Sequence, residues 1–172
     1  LSEVKGETLK RAYAVHPISA VQSEYSIWTR DNEAANLKEC RELGVTTVAY
    51  SPLGRGILTG RFSTFDDPKD FRSHMPRMQE ENFKSNKKII EAVEEIAASK
   101  KAKASQIALA WLLAKGKDII PIPGTKHEKY LAENLGALEI ELTAGEISDL
   151  DKLYSLVKGN RYDDNSMRNT LR

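Results

Sequence analysis

The sequence has few of the residues that mark a disulfide-bonded, metal-binding or membrane-spanning protein. It contains one cysteine, Cys40, so its 172 residues cannot form an internal disulfide. A single cysteine favours a reducing compartment, and we expect a cytoplasmic protein. The three histidines (His16, His74 and His127) lack metal-ligand spacing, so we expect no metal site. No apolar run approaches the ~18 residues of a membrane-spanning helix, so we expect no membrane association.

An excess of either charge is also missing. The chain has 26 lysines and arginines against 25 aspartates and glutamates, a net charge of +1. A protein that binds nucleic acid normally shows a basic excess, so we expect no nucleic-acid partner. The hydrophobic fraction of 40% and charged fraction of 30% are typical of a folded globular chain. Its length corresponds to one domain of roughly 100–200 residues.

Helical and extended patterns alternate along the chain. The spacing of apolar residues and the capping signals predict helices over residues 6–16, 32–43, 89–97, 106–115, 126–135 and from 144, and strands over 18–25, 45–50 and 119–123. Alternation of this kind is typical of parallel βα units. Three strands cannot close a (β/α)8 barrel, which needs roughly 250 residues. The pattern therefore leaves two architectures open: a small open α/β domain, or part of a barrel.

Several local signals refine these elements. Helix starts are predicted from capping residues at Asp31 and Ser105 and from the pairs Thr125/Glu128 and Thr143/Glu146. Cys40 lies on an apolar helix face, where a core position is expected. From about residue 54 to 83 no periodicity is evident, which predicts a long binding or lid loop. The tail, about 158–172, is polar and basic.

Three segments lie where predicted strands end, which is the edge of a parallel sheet that binds ligands. Residues 50–61 contain three glycines and two arginines, residue types that suit the phosphates of a ligand. Residues 122–126 lead into a helix whose N-terminus can bind an anion. Residues 21–25 place amide and hydroxyl groups at a strand end. Alone, each segment is equally compatible with an ordinary turn, a capped helix or a strand end.

Taken together, these segments resemble the aldo-keto reductases, in particular the branch that contains pyridoxal reductases. The resemblance rests on Leu1-Ser2-Glu3, residues 20–26 (AVQSEYS), 48–56 (VAYSPLGRG), 121–126 (PIPGTK) and 131–137 (LAENLGA), which look like the ends of that family's fifth to eighth strands. It implies a (β/α)8 TIM barrel of which residues 1–172 are the C-terminal half. That half is about the last three to four βα units plus two extra helices, with a cofactor or lid loop near 54–83.

The resemblance also implies an NADPH site. Carried over by position, its residues are Ser2, Gln22, Tyr50, Ser51, Pro52, Leu53, Gly54, Gly56, Arg61, Gly124, Thr125, Lys126, Tyr130, Glu133 and Asn134. Ser2 and Gln22 would hold the carboxamide, and Tyr50 would stack on the nicotinamide. The segment from Ser51 to Arg61 would wrap the pyrophosphate, Gly124 to Lys126 would meet the 2′-phosphate, and Tyr130 to Asn134 would flank the adenine. The sequence departs from the family at Glu3, where many members have Asn, and at Tyr130, where many have Arg.

The implied activity is reduction of a small aldehyde or ketone by NADPH, such as pyridoxal to pyridoxine. The family's catalytic Asp, Tyr, Lys and His belong to the first four units, so no catalytic residue is assigned here and the N-terminal half of the barrel is the expected partner. Two alternatives stay open. One is an NADPH-binding regulatory or scaffold subunit, similar to potassium-channel β subunits. The other is an incompetent half-barrel fragment whose exposed strand edges make it associate.

Overall fold

A parallel sheet lies at the centre of the fold in the computed structural model, which describes residues 1–65, 67–168 and 170–171. Asp66 of the predicted loop and Asn169 and Arg172 of the tail lie outside the described residues. Within those ranges the strands are β1 (Ala20–Glu24), β2 (Thr46–Tyr50) and β3 (Ile119–Pro121), in spatial order β1-β2-β3. Ser2 makes a parallel bridge to Gln22, so the N-terminal residues extend the sheet beyond β1.

Helices connect the strands and cover one face of the sheet. They are α1 (Gly6–Val15), α2 (Asp31–Ala35), α3 (Leu37–Leu43), α4 (Glu80–Ser99), α5 (Ala104–Ala114), α6 (Glu128–Leu135), α7 (Ala144–Lys152) and α8 (Asp164–Met167). Short 3-10 turns occupy Gly54–Thr59, Phe71–His74, Pro76–Met78, Gly136–Glu139 and Leu153–Leu156. The predicted alternation of strand and helix is therefore confirmed. No helix of the described residues is long and apolar enough to cross a membrane.

The two faces of the sheet differ sharply in burial. One face packs beneath the helices, where Val21, Ala49 and Ile119 are buried. Helix α5 runs through this layer and is buried nearly all round, as predicted from its apolar residues. On the opposite face, Ile120 is 52% exposed. In a barrel, further strands would pair at the edges of the sheet, and this uncovered face would become part of the barrel interior. Self-association through it stays a prediction.

The helix predicted over 32–43 is wrong in one respect, because it is two helices separated at Asn36. Asn36 is fully buried, and its amide donates to the backbone oxygen of Val4 at 2.7 Å and to Ser23 Oγ at 3.3 Å. These partners come from distant parts of the chain, so the local periodicity carried no sign of the break. Asp31 does not cap α2 and instead accepts from the Tyr154 hydroxyl.

Two other predicted helix starts are also corrected. Ser105 lies inside α5, whose start is capped by Gln106 Oε1 accepting from the Lys103 amide at 2.9 Å. Thr125 makes a turn with the His127 amide, and α6 begins only at Glu128, so no capping box forms there. The Ser105 hydroxyl donates instead to Glu133 Oε1, and the Thr125 hydroxyl accepts from the His127 amide. The Thr143/Glu146 capping box is confirmed.

The predicted loop over 54–83 is shorter than its lack of periodicity indicated. Helix α4 begins at Glu80, and 3-10 turns occupy much of the remainder. Phe65, Met75 and Met78 of this segment are buried against Phe83 in one apolar cluster. Its contacts with α4 hold the segment in place. Because its own apolar residues do not repeat regularly, periodicity could not predict its structure.

We expect the carboxylate of Asp151 to stabilise the protein at neutral pH and to lose this effect in acid. Burial raises the pKa of Asp151, but hydrogen bonds from Lys115 and Trp111 and the charge of Arg30 outweigh burial and lower it. Because the pKa is lowered in the folded protein, the Asp151 carboxylate contributes to the free energy of unfolding above its unfolded pKa of about 3.9. This contribution is lost as the pH falls through the folded pKa.

Asp151→Asn should therefore be less stable than the wild type in urea unfolding at pH 7, and the difference should shrink at pH 3. The matched control is Asp149→Asn, because the Asp149 side chain is 68% exposed and pairs only on the surface with Lys152. It should change little at either pH. A difference for Asp151→Asn that is the same at both pH values would contradict the expectation.

Candidate functional site

A cleft of about 380 Å³ opens where the carboxyl ends of β2 and β3 meet α6. Ten predicted site residues line it: Ser51, Pro52, Leu53, Gly56, Arg61, Gly124, Thr125, Tyr130, Glu133 and Asn134. The chain brings them together because β2 and β3 are parallel neighbours, so the segments that follow them leave the same edge of the sheet. Of the other predicted residues, Gly54 lies next to the buried Trp28 and does not line the cleft, and Lys126 is exposed next to Thr125.

The glycine-rich segment after β2 forms one side of the cleft through unusual backbone angles. Gly54 and Gly56 have φ values of 56° and 94°, and Ser51 and Arg55 are also in the left-handed region. The amides of Gly54 and Gly56 donate to the backbone oxygens of Ser51 and Leu53 at 2.9 and 3.0 Å. Both glycines therefore shape the turn, and their amides are engaged in hydrogen bonds within it.

Arg61 and Tyr130 form a flat part of the cleft lining. The Arg61 guanidinium lies 3.7 Å from the centroid of the Tyr130 ring, a cation–π contact. Its other neighbour is Glu133 Oε2, at 4.0 Å. Glu133 in turn accepts from Ser105 Oγ at 2.7 Å. Arg61 of the loop therefore places a guanidinium beside position 130, where many members of the resembled family have Arg.

The rim of the cleft next to β3 is exposed. Gly124, Thr125 and Lys126 are all exposed in the turn that precedes α6. A Cβ placed on Gly124 would meet no atom within 4 Å, so this backbone is open to a ligand. The Lys126 ammonium and the nearby N-terminus of α6 both favour an anion.

A second group of predicted residues lies on the adjoining strand ends. Ser2 and Gln22 are bridged neighbours with exposed side chains, and Tyr50 is the last residue of β2 and half-buried. Burial raises the pKa of the Tyr50 phenol well above its usual range, and a hydrogen bond with Tyr162 and the charge of Glu24 act in the same direction. Tyr50 is therefore a neutral aromatic group at neutral pH.

The cleft also contains side chains that sequence reasoning missed, among them Phe62 and Arg72. The Arg72 guanidinium lies 4.0 Å from the centroid of the Phe62 ring, forms an ion pair with Asp70 at 2.6 Å, and donates to the backbone oxygen of Arg55. These residues belong to the aperiodic loop, where only the presence of arginine and aromatic residues could have indicated a role.

Arg55 forms an ion pair within the protein, although the sequence suggested a phosphate contact. The sequence suggested that both arginines of the glycine-rich segment suit phosphate, but Arg55 donates to Glu24 Oε2 at 2.8 Å and stacks on Tyr162. Its charge is therefore neutralised within the protein. Among the described residues, no group of three His, Cys, Asp or Glu side chains could hold a metal ion.

Comparison with known proteins identifies a family to which the chain is similar. The model described as "Aldo/keto reductase family" matches residues 1–155. The chain is 47% identical over 155 residues to "Aldo-keto reductase yakc [NADP(+)]" of Schizosaccharomyces pombe, covering 87% of this chain and 46% of that protein. It is 48% identical over 158 residues to "Aldo-keto reductase str7" of Strobilurus tenacellus, covering 89% and 47%. The chain thus spans about half the length of the curated relatives it matches.

Solved structures show the same fold. The chain matches the thermostable aldo-keto reductase Tm1743, solved with the inhibitor epalrestat, with a TM-score of 0.67 and 34% identity over 88% of this chain and 46% of that one. It matches the glycerol dehydrogenase AKR11B4 of Gluconobacter oxydans with a TM-score of 0.84 and 23% identity, over 95% and 50%. The predicted fold class is confirmed, and the three-stranded sheet of the described residues corresponds to part of a TIM barrel.

Proposed function

Because the chain belongs to the aldo/keto reductase family, we propose that it forms the NADPH-binding part of an enzyme that reduces a small aldehyde or ketone to an alcohol. The observation that carries the proposal is the cleft lined by the turn after β2, by Arg61 stacked on Tyr130 and by the turn before α6. A flat aromatic surface beside the cations Arg61 and Lys126 suits an adenosine that carries phosphates. The named relative yakc is itself described as NADP(+)-linked.

The residues present fit this cofactor along the length of the strand ends. A volume of about 380 Å³ lies within the usual range of ligand pockets. Tyr130 and Arg61 would hold the adenine, Thr125 and Lys126 the 2′-phosphate, and Ser51 to Gly56 would line the pyrophosphate. Ser2 and Gln22 would orient the carboxamide through their exposed hydroxyl and amide groups. When bound, NADPH supplies the hydride that reduces the carbonyl carbon.

The chain's own contribution to the reaction is orientation. The neutral ring of Tyr50 would support one face of the nicotinamide and leave the other face open to a carbonyl compound. Strand ends hold these groups at fixed positions, which lowers the entropic cost of bringing hydride and carbonyl together. The proton for the carbonyl oxygen would come from the other half of the barrel, which we propose covers the exposed sheet face around Ile120.

Saturable NADPH binding tests the proposal directly. Titration of the protein with NADPH, followed by the fluorescence of the reduced nicotinamide, should give a single binding isotherm, and the absence of saturation would refute the proposal. Pyridoxal is one candidate carbonyl substrate, and nitrobenzaldehyde serves as a general one. Turnover of either by a protein that contains this chain would favour the reductase over the regulatory alternative.

Lys126 should decide the preference for NADPH over NADH. Lys126→Ala removes the exposed ammonium at the start of α6, and we expect about a tenfold loss of NADPH affinity with little change for NADH, since hydrogen bonds to charged groups are worth about 1.5–3 kcal/mol. The matched control is Lys129→Ala, which makes the same charge change one turn further along the chain. Equal losses in both variants, or equal losses for both cofactors, would contradict the assignment.

A further inference from the structure

The C-terminal segment is tied into the fold by one buried arginine. Arg161 has a side chain only 2% exposed, and its guanidinium donates to both carboxylate oxygens of Glu3, at 2.7 and 3.1 Å. It also lies 3.7 Å from Glu24 and 3.5 Å from Asp31. Glu3 and Arg161 are 158 positions apart in the chain. The pair therefore joins the segment that follows α7 to the strand end at the start of the chain.

This contact accounts for the departure of Glu3 from the Asn of many relatives. Glu3 has a φ of 48°, and its carboxylate also accepts from the Glu24 amide at 2.9 Å. Burial raises the pKa of Glu3, but the hydrogen bond from Arg161 and the backbone hydrogen bond outweigh it and lower the pKa. The Glu3 side chain is thus committed to contacts within the protein and is directed at Arg161 rather than at a ligand.

Glu24 gives the cluster a second carboxylate that needs a partner. Its side chain is 2% exposed, and it accepts from Arg55 at 2.8 Å and from Thr29 Oγ1 at 3.1 Å. Two carboxylates lie together at adjacent strand ends, and like charges in a buried place are unfavourable unless cations balance them. Arg161 approaches both, so it neutralises the cluster together with Arg55.

The residue after Arg161 is thereby brought to the nicotinamide end of the site. The Tyr162 hydroxyl forms a hydrogen bond with Arg55 and lies 3.5 Å from Glu24 Oε2. The Arg55 guanidinium is 4.9 Å from the centroid of the Tyr162 ring. Glu24 is the register partner of Tyr50 across β1 and β2, so Tyr162 lies at the strand end that carries the side chain assigned to the nicotinamide.

We propose that Arg161 is a positioning residue: by pairing with Glu3 and Glu24 it fixes residues 159–168 across the strand ends and holds Tyr162 beside Glu24, at the strand end that carries Tyr50, which sets the environment of the nicotinamide. The inference rests on the proposed function in one respect, because it assumes that the Tyr50 side chain lies against the nicotinamide ring. The anchoring of the segment itself is independent of any cofactor. The two parts are therefore tested separately.

Hydrogen–deuterium exchange without cofactor tests the anchoring. In Arg161→Met, the amides of residues 159–168 should exchange about tenfold faster or more, while those of α5 stay protected, because loss of a buried partner frees the local segment. Arg161→Lys keeps the charge without the two-pronged geometry and should recover part of the protection. Arg11→Met, at an exposed position of α1, is the matched control and should leave the exchange of this segment unchanged.

Should Arg161→Met fail to fold, Glu3→Gln replaces it, since it preserves the shape of the side chain and removes its charge. It should expose the same segment to exchange. Unchanged exchange of residues 159–168 in a folded Arg161→Met or Glu3→Gln variant would overturn the anchoring, whatever the outcome of cofactor binding.

The fluorescence lifetime of bound NADPH tests the positioning. Arg161→Met should keep the NADPH dissociation constant within about threefold, because the adenosine and phosphate contacts remain, while the lifetime of the bound nicotinamide changes. A loss of overall stability would lower the amount of bound cofactor without altering its lifetime. Wild-type protein that does not bind NADPH refutes the proposed function alone. An unaltered lifetime in a variant whose segment has become mobile refutes the positioning alone.

Discussion

Replacing Trp111 with alanine is expected to destabilise the chain by about 3–5 kcal/mol, the usual range for removing a buried aromatic side chain. Trp111 is fully buried in α5 and meets the Tyr25 ring edge to face at 5.5 Å between centroids. Its indole Nε1 donates to Asp151 Oδ1 at 3.0 Å, and the Arg30 guanidinium lies over the ring. Alanine would leave a cavity at the centre of the main apolar cluster and would remove a donor from Asp151.

Urea unfolding followed by circular dichroism measures this change. Trp111→Phe is the first control, because it keeps an aromatic ring and loses only the indole N–H and part of the volume. It should be distinctly milder than Trp111→Ala. Leu113→Ala, at a half-buried position of the same helix, controls for substitution within α5. A Trp111→Ala protein within about 1 kcal/mol of the wild type would show that α5 is not the centre of the core.

Gly54→Ala is expected to cost about 2–5 kcal/mol, because left-handed backbone strain and overpacking act together. Gly54 has a φ of 56°, a region that suits glycine. A Cβ there would lie 2.6 Å from Trp28 Nε1 and 2.9 Å from its Cε2, and Trp28 is only 2% exposed, so the ring cannot move into solvent. The turn after β2 would have to shift, and with it the wall of the cleft.

Both stability and NADPH affinity should fall in this variant, and the two measurements are thermal unfolding and fluorescence titration. Gly145→Ala is the matched control, because a Cβ at Gly145 in α7 meets only Thr143 Oγ1, at 3.9 Å. That change should be neutral or slightly stabilising, since alanine favours helix. An unaltered melting temperature in Gly54→Ala would mean that Trp28 repacks freely, contrary to its burial.

Much of the cleft lining was predicted from the sequence. The segment after β2 and the turn before α6 were both located from glycines, a helix start and the resemblance, and the cleft joins them. Arg61 was named as well, but its stacking on Tyr130 was not foreseen. Residue types and strand ends can be identified along the chain, whereas the partner of a long side chain depends on which segment packs beside it.

The sequence by itself determined the alternation of strands and helices, the apolar character of α5 and the Thr143/Glu146 helix start. These features follow from local periodicity and from backbone preferences that each residue carries wherever it lies. It also singled out Glu3 as a departure from the family pattern. Only the tertiary structure decided what Glu3 does, since Arg161 lies 158 positions away and becomes its partner through folding. Breaks such as Asn36 and buried ion pairs such as Glu3–Arg161 arise from long-range contacts, in which burial removes water and each polar group must find a partner within the protein.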